Sequence, residues 1–353
     1  MMPDTPPTDS SRYRPISRHY RERFGCKVYK ISVTAAQSCP NREGMRGMRV
    51  CAFCDPWGSA AYEENASQAL REQIRKVRDR LRKRYKAEKF LVYFQAFTTT
   101  FQRISHLRTL FEEALCEADV VGIVVGTRPD CLPLGMVKLL AEFAHRCYVS
   151  VELGVQSLDD GQLRFLSRGH DAACSLAAVN RLRAYPEIDI CAHLMFGLPG
   201  ETMAQLQNTA GVLSAAGVHG VKLHNLHVLR NTDLEGRYRA GTFQPIGLEA
   251  YSARVCAFLE HLSPDVAVHR LNAVASRWDQ VVAPHWAREK MRPTQYILDE
   301  MRRRDLRQGG RFHRGLLQPG CLQPDAGRVP LIAAITPGGA EITAGEMGSS
   351  SNE

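Results

Sequence analysis

Residues 119–154 read DVVGIVVGTRPDCLPLGMVKLLAEFAHRCYVSVELG. The first eight residues and the last eight are dominated by Val, Ile, Leu and Tyr, with glycine at the ends of both runs. Between them, 132–145 carries apolar residues at helical spacing. A strand, a helix and a second strand in this order make a βαβ unit. Near-continuous apolar strands belong to a parallel sheet buried on both faces. The same alternation extends outward in both directions. Strands are expected at 27–33, 90–95, 119–126, 147–154, 189–197 and 220–228. Helices are expected at 67–88, 104–117, 132–145, 159–166 with 171–184, and 201–216, with Ser67 as an N-cap. Six such units in series predict an α/β fold, a partial (β/α)6 TIM-type barrel. Functional residues then belong at the C-terminal ends of the strands and in the loops that follow them.

The 353 residues are 44% hydrophobic and 24% charged, the balance of a folded globular chain. Residues 1–20 are polar and Pro-rich and read as a flexible tail. The barrel is expected over 21–265, a basic helical C-terminal extension over 266–309, and a mostly disordered tail over 310–353. No apolar run is long enough to span a membrane, and the N-terminus lacks the apolar stretch of a secretory signal. The chain is therefore expected in a reducing, cytoplasmic setting. Its 11 cysteines, an odd number and mostly scattered, read as reduced thiols rather than a disulfide framework.

Three cysteines break that pattern. Cys39, Cys51 and Cys54 lie in C-x11-C-x2-C spacing on the long loop over 34–62, directly after the first expected strand. Thiolates are ligands for zinc and for iron–sulfur clusters. A structural zinc site takes four closed ligands. Three thiolates on a loop fit an open site better, and on a four-iron, four-sulfur cluster they leave one iron for a substrate. A zinc-binding, non-catalytic scaffold, its site completed from elsewhere in the chain, is the alternative.

The segments RFGCKVYKI, CPNREG, FCDPWGS, YFQAFTTT, VGIVVGTRPDCLP, VELGVQS, SRGHD, HLMFGLPGET and VKLHNLHVLRNTDL, spread over 22–265, resemble radical S-adenosylmethionine (radical SAM) enzymes. The wide cysteine spacing departs from the commonest CxxxCxxC pattern. It is similar to the branch that contains the radical SAM half of the Elongator catalytic subunit and the YhcC-type bacterial proteins. The resemblance implies a cluster held by Cys39, Cys51 and Cys54, with SAM chelating the open iron. It further implies reductive cleavage to a 5′-deoxyadenosyl radical and hydrogen abstraction from a substrate. An electron donor such as flavodoxin or ferredoxin is implied as a partner.

Several residues are candidates around that centre. Gln95 ends the second strand. Arg128 ends the third and can meet a carboxylate with its fork of donors, or pair with Asp130 and fix the turn. Glu152 and Gln156 share one face of the fourth strand with Gly154; they suit ribose hydroxyls or the SAM ammonium, or an internal salt bridge to Arg128, Lys222 or Arg168. Gly200 and Glu201 follow the fifth strand, in a loop that by resemblance supports adenine. Glu201 equally suits the first turn of a helix. Val228 lies in a segment that by resemblance pairs its backbone with adenine. Lys222 and His224 share a face of the sixth strand and are the candidate catalytic pair, able to contact substrate or move a proton, or else to form part of a supporting polar network. The Arg168-Gly169-His170 element is recognised without a role.

The net charge is +9, and 71–89 alone carries ten basic against three acidic residues. Residues 301–314 add six arginines against one aspartate. Such clusters suit nucleic acid. With the Elongator-like resemblance they point to a tRNA base, the wobble uridine, as substrate. Radical modification of a protein or small metabolite is the alternative, with the basic faces serving an acidic partner.

Overall fold

The computed structural model describes residues 11–36, 38–58, 68–275 and 277–313. Along these run α1 (Ile16–Phe24), β1 (Val28–Val33), α2 (Leu70–Tyr85), β2 (Lys89–Phe94), α3 (Ile104–Leu115), β3 (Val120–Thr127), α4 (Leu134–Ala144) and β4 (Tyr148–Gln156). Then follow α5 (Asp160–Phe165), α6 (Ala172–Arg183), β5 (Ile188–Phe196), α7 (Met203–Ala216), β6 (Gly220–Asn225) and β7 (Val228–Leu229). The chain continues through α8 (Asp233–Arg239), α9 (Leu248–His261), β8 (Ala267–Arg270), β9 (Val281–Ala283) and α10 (Arg292–Arg303).

Seven parallel strands form one sheet in the order β1-β2-β3-β4-β5-β6-β8. The sequence predicts six of them. The seventh, β8, lies at the start of the stretch expected over 266–309 as a helical C-terminal extension. It pairs in parallel with β6, Gly220 opposite Ala267. Its four residues are too few to show a period on their own. Helix α9 precedes it, so the βα alternation continues once more.

Strand alternation divides the side chains into two layers. Ile31, Val92, Phe94, Ile123, Val125, Val151, Leu153, Ile190, Val221 and Leu223 point outward into the main core beneath the helices. The intervening positions point into the barrel: Lys30, Tyr93, Gly126, Glu152, His193, Lys222 and His224. The helices are set by local signals. Helix α7 begins with a capping box in which Thr202 and Gln205 satisfy each other's backbone, and it ends on Gly217 with φ 77°.

The flexible tail expected over 1–20 is corrected for residues 11–20, while 1–10 lie outside the described residues. Pro15 bridges to Val268, and the Val268 amide donates to the Arg14 carbonyl at 2.7 Å. Helix α1 thus lies at the strand starts, near both edge strands. Tyr20 is buried there among Val28, Leu91, Tyr93, Val124 and Tyr148. The Tyr20 and Phe24 rings meet Tyr148 edge-on at 6.1 and 5.4 Å. His19 and the Tyr148 hydroxyl both bond Asp189 at the start of β5. One buried aromatic face outweighs the polar composition that made this stretch look like a tail. Beyond α10, the tail expected over 310–353 lies outside the described residues from 314 on, as does Ser67. The N-cap of α2 is Ala69, which makes no side-chain capping bond. Among the described residues no helix is long and apolar enough to cross a membrane.

Candidate active site

The cavity opens at the C-terminal ends of the strands. Cys39, Cys51 and Cys54 line it, together with Gln95, Arg128, Glu152, Gln156, Lys222 and His224. Nine of the predicted site residues are therefore brought to one place.

The cysteine loop is fastened to the barrel by its backbone and by two arginines. The Ala52 amide donates to the Leu166 carbonyl at 3.0 Å, and the Leu234 amide donates to the Ala52 carbonyl at 2.9 Å. Asn41 donates to the Ser167 carbonyl at 2.8 Å. Arg168 donates through Nη1 to Cys51 Sγ at 3.4 Å and through Nη2 to the Gly154 carbonyl at 3.0 Å. Arg42 donates to Cys54 Sγ at 3.3 Å and lies over the Phe97 ring. Burial pushes the Cys54 thiol up to about 12, against the pull of Arg42. Gly169 explains the middle of the Arg-Gly-His element. A Cβ there would lie 1.8 Å from Met48 Sδ and 2.8 Å from Arg128 Nη2, so a larger residue would have to displace the Met48 side chain that packs on it.

Arg128 follows the turn-fixing alternative. Its Nε and Nη2 pair with both oxygens of Asp130, at 2.8 and 2.6 Å, and Nη1 reaches Asn41. It lines the cavity while bracing the cysteine loop. Gln156 has φ 68°, a left-handed backbone that a non-glycine residue adopts only when its surroundings impose it.

Deeper in the barrel, Glu152 is fully buried and gathers two ammonium groups and two imidazoles. Lys222 Nζ lies 2.7 Å from Oε2 and Lys30 bonds Oε1. His193 Nε2 lies 2.6 Å from Oε2 and His269 Nδ1 3.3 Å from Oε1. Burial alone would raise this carboxylate, but Lys222 and Lys30 hold it well below the usual range. Burial lowers His193 to about 3 and His269 to about 4, so both are neutral. Lys30 is raised by Glu152 in spite of burial. Lys222 moves the other way, to about 8, because burial, Arg270 and Lys30 all act against its charge. Glu152, Cys191 and His193 bring ligand atoms within 4.8 Å of one another. The two ammonium groups already on the carboxylate make this an ion-pair cluster, not a cation site. The three loop thiols are not gathered that closely.

Gly200, Glu201 and Val228 do not line the cavity. Glu201 accepts from the Gly197 amide at 2.9 Å and from Arg254 Nε at 2.7 Å, which fixes the turn after β5. Gly200 takes φ 70° in that turn. Val228 pairs with Ala283 in the small antiparallel sheet of β7 and β9. Lys30, Arg42, His227, His269 and Arg270 were not singled out from sequence. Lys30 was detectable, since it alternates with Ile31 in a strand whose other face is apolar. The rest sit on short or irregular segments.

Residues 37–213 match the family model for the radical SAM superfamily, and 218–303 match that for the Radical_SAM C-terminal domain. The chain belongs to the radical SAM superfamily. It is 35% identical over 303 residues to the uncharacterized protein YtqA of Bacillus subtilis, covering 86% of this chain and 94% of that protein. It is 36% identical over 269 residues to protein YhcC of Escherichia coli, covering 76% of this chain and 85% of that one. Among solved structures, the archaeal Elp3 of Methanocaldococcus infernus shares the fold, with a TM-score of 0.61 and 18% identity. That match covers 80% of this chain and 64% of the Elp3 chain, less than two thirds of its length. The protein is thus a radical SAM enzyme, and its family implies a four-iron, four-sulfur cluster, SAM and a reductant.

Proposed function

We propose that Cys39, Cys51 and Cys54 hold the cluster, and that the enzyme uses SAM to modify a base of tRNA, a wobble uridine. The donor set supports the first part. Three thiols share the cavity, and guanidinium groups donate to two of their sulfurs, which offsets the negative charge such a ligand set carries. When bound, the cluster and SAM supply a one-electron cleavage that yields a 5′-deoxyadenosyl radical. The chain's own groups bind, orient and shield. Gln95, Gln156 and Arg128 border the SAM space, and Glu152 fixes the ammonium of Lys222 beneath it. Lys222 and His224 face the substrate. The Nδ1–H of His224 donates to the Asn225 carbonyl at 2.7 Å, which leaves Nε2 as an acceptor.

The observation that carries the tRNA reading is a match to the tRNA uridine(34) acetyltransferase of Dehalococcoides mccartyi. It is 30% identical over 128 residues, 35% of this chain and 27% of that protein. The basic surface adds less than composition suggests. On α2, Arg71, Arg75 and Arg78 converge on Glu117, and Arg82 pairs with Asp119. On α10, Arg302 pairs with Asp299, while Arg303 pairs with Glu300, as does Arg304 just beyond the helix. Lys76, Lys83 and Lys86 remain exposed along α2 and its end. The test is anaerobic reconstitution with SAM, a reductant and tRNA from a strain lacking the gene. Formation of 5′-deoxyadenosine that depends on tRNA, with a changed nucleoside, is expected. Turnover indifferent to tRNA, with no salt-sensitive tRNA binding, would remove RNA as the substrate.

A further inference from the structure

The cavity wall built from β6 and β8 carries a charge that no mapped role uses. Arg270, the last residue of β8, lines the cavity. Its Nε donates to the Leu223 carbonyl at 3.2 Å. Among the described residues it forms no ion pair with a carboxylate, and its terminal nitrogens have no hydrogen-bond partner. Every other arginine on the cavity wall is engaged. Arg128 is held by Asp130, Arg168 by Cys51 and the Gly154 carbonyl, and Arg277 stacks on Trp57 at 4.1 Å. The nearby carboxylate, Glu152, is already shared by Lys30, Lys222, His193 and His269. A guanidinium has five donors and stays charged under all working conditions. Half-buried without an anion, its charge has no compensating partner on this wall.

Its neighbours do not supply that anion. His224 and His227 stand beside each other on this wall, ring centroids 4.9 Å apart, and both line the cavity. Burial and the charge of Arg270 keep both imidazoles neutral. His227 Nδ1 is buried without a partner. The thiols are fastened elsewhere: Cys51 through Arg168 to β4, and Cys54 through Arg42 to the ring of Phe97 after β2. The two sides of the cavity are thus chemically different. The cysteine side has donors already committed to sulfur. The β6–β8 side offers an uncommitted, planar cation.

We infer that Arg270 anchors an oxyanion of the second substrate, a phosphate or carboxylate, on the β6–β8 wall. The fork of a guanidinium matches either group with two parallel hydrogen bonds. The anion supplies the charge the wall lacks, and the substrate's remaining atoms lie between Arg270 and the cysteine loop. A nucleotide of a flipped RNA base carries such a group, and so does an acidic metabolite. The inference rests on the proposed function only for what occupies the facing side.

The experiment uses the full chain with its cluster reconstituted, in wild type, Arg270→Gln and Arg270→Lys. Binding of inorganic phosphate, acetate and uridine 5′-monophosphate is followed calorimetrically, and SAM affinity is measured on the same samples. Wild type is expected to bind phosphate or acetate saturably. Arg270→Gln should weaken that binding at least tenfold, and Arg270→Lys should lie between. SAM affinity should stay within twofold in both variants. Tighter binding of uridine 5′-monophosphate than of phosphate identifies a nucleotide source, and preference for acetate identifies a carboxylate. Three results overturn the assignment: no saturable anion binding by wild type, equal binding by the variants, or a parallel loss of SAM affinity, which would give Arg270 to the SAM carboxylate. If Arg270→Gln does not fold, Arg270→Lys decides, because it keeps the charge and loses the fork. A sample that binds phosphate but takes up no iron refutes the proposed function and leaves the anion site standing.

Discussion

Arg168 joins Cys51 to the barrel: one guanidinium nitrogen donates to the thiol sulfur at 3.4 Å while the other holds the Gly154 carbonyl of β4 at 3.0 Å. The Arg-Gly-His element, recognisable in the sequence but without a role there, is therefore the seat of the cysteine loop. A donor to a ligating sulfur stabilises the more negative, reduced state of a cluster. Arg168→Met is expected to lower the midpoint potential, by roughly 60 mV if the hydrogen bond favours the reduced state tenfold. A redox titration followed by electron paramagnetic resonance reads it. A potential equal to wild type, in protein with full iron content, would refute this role.

The proposed ligand set makes a selective prediction about cysteine. Cys39→Ala, Cys51→Ala and Cys54→Ala should each abolish cluster uptake. Cys131 is a stringent control, because it is buried close enough for Cys39 to influence its thiol. It does not line the cavity, and it lies beside Asp130, with Sγ 3.8 Å from the carboxylate. Cys131→Ala and the exposed Cys116→Ala should retain full iron and sulfide. Loss of iron in Cys131→Ala alone would mean a fourth protein ligand and a closed cluster.

The sequence discloses the barrel because buried parallel strands cannot hide their composition. It discloses which face of β4 and β6 is polar because alternation is a property of the backbone. Glu152 and Lys222 were legible in this way as inward-facing partners. What was not legible depends on distant partners. Nothing local says that Arg270 would find no carboxylate, or that Val228 would pair with Ala283 across more than fifty residues. Short irregular segments, α1 and β8 above all, are specified by what they cover rather than by their own pattern.

The Glu152 cluster should make stability depend on pH in a defined window. His193 and His269 fall to about 3 and about 4 in the folded protein, mainly through burial, from an ordinary value of 6.5. Below pH 6.5 the unfolded chain binds protons at these positions that the folded chain does not. Stability therefore falls with decreasing pH between about 6.5 and 4, by at most about 1.4 kcal/mol per pH unit for each histidine. Glu152, depressed in the fold, adds a further loss only below its unfolded value near 4.5. Urea denaturation at pH 7.5, 6 and 5 measures the slope. His193→Gln should reduce the slope by one histidine's share, since His269, His224 and His227 are lowered by burial as well; an unchanged slope in that variant would show that His193 does not contribute to it.

Replacing Glu152 tests the cluster directly and separates it from the cysteine loop. Glu152→Gln leaves Lys30 and Lys222 buried without their shared carboxylate. Breaking a buried pair in this way typically costs about 3–5 kcal/mol. The loss is expected to be smaller in Glu152→Gln/Lys30→Met than in the single variant, because the second change removes one stranded charge. Iron uptake should survive in both, since no cysteine bonds to Glu152. A double variant no more stable than the single one would show that Lys30 does not depend on this carboxylate.

The N-terminal helix supplies the last test. Tyr20 is 4% exposed and packs at the strand starts with Val28, Leu91 and Tyr93. Its removal opens a cavity that the parallel strands cannot close, because their spacing is fixed by the hydrogen-bond ladder. Loss of a buried aromatic side chain costs about 3–5 kcal/mol by analogy with Phe→Ala. Tyr20→Ala should therefore lower the denaturant midpoint sharply, whereas Arg21→Ala, exposed on the same helix, should stay within about 0.5 kcal/mol of wild type. Equal stability of Tyr20→Ala and wild type would return this segment to the status of a dispensable tail. A selective effect would show that this helix is an integral part of the folded barrel.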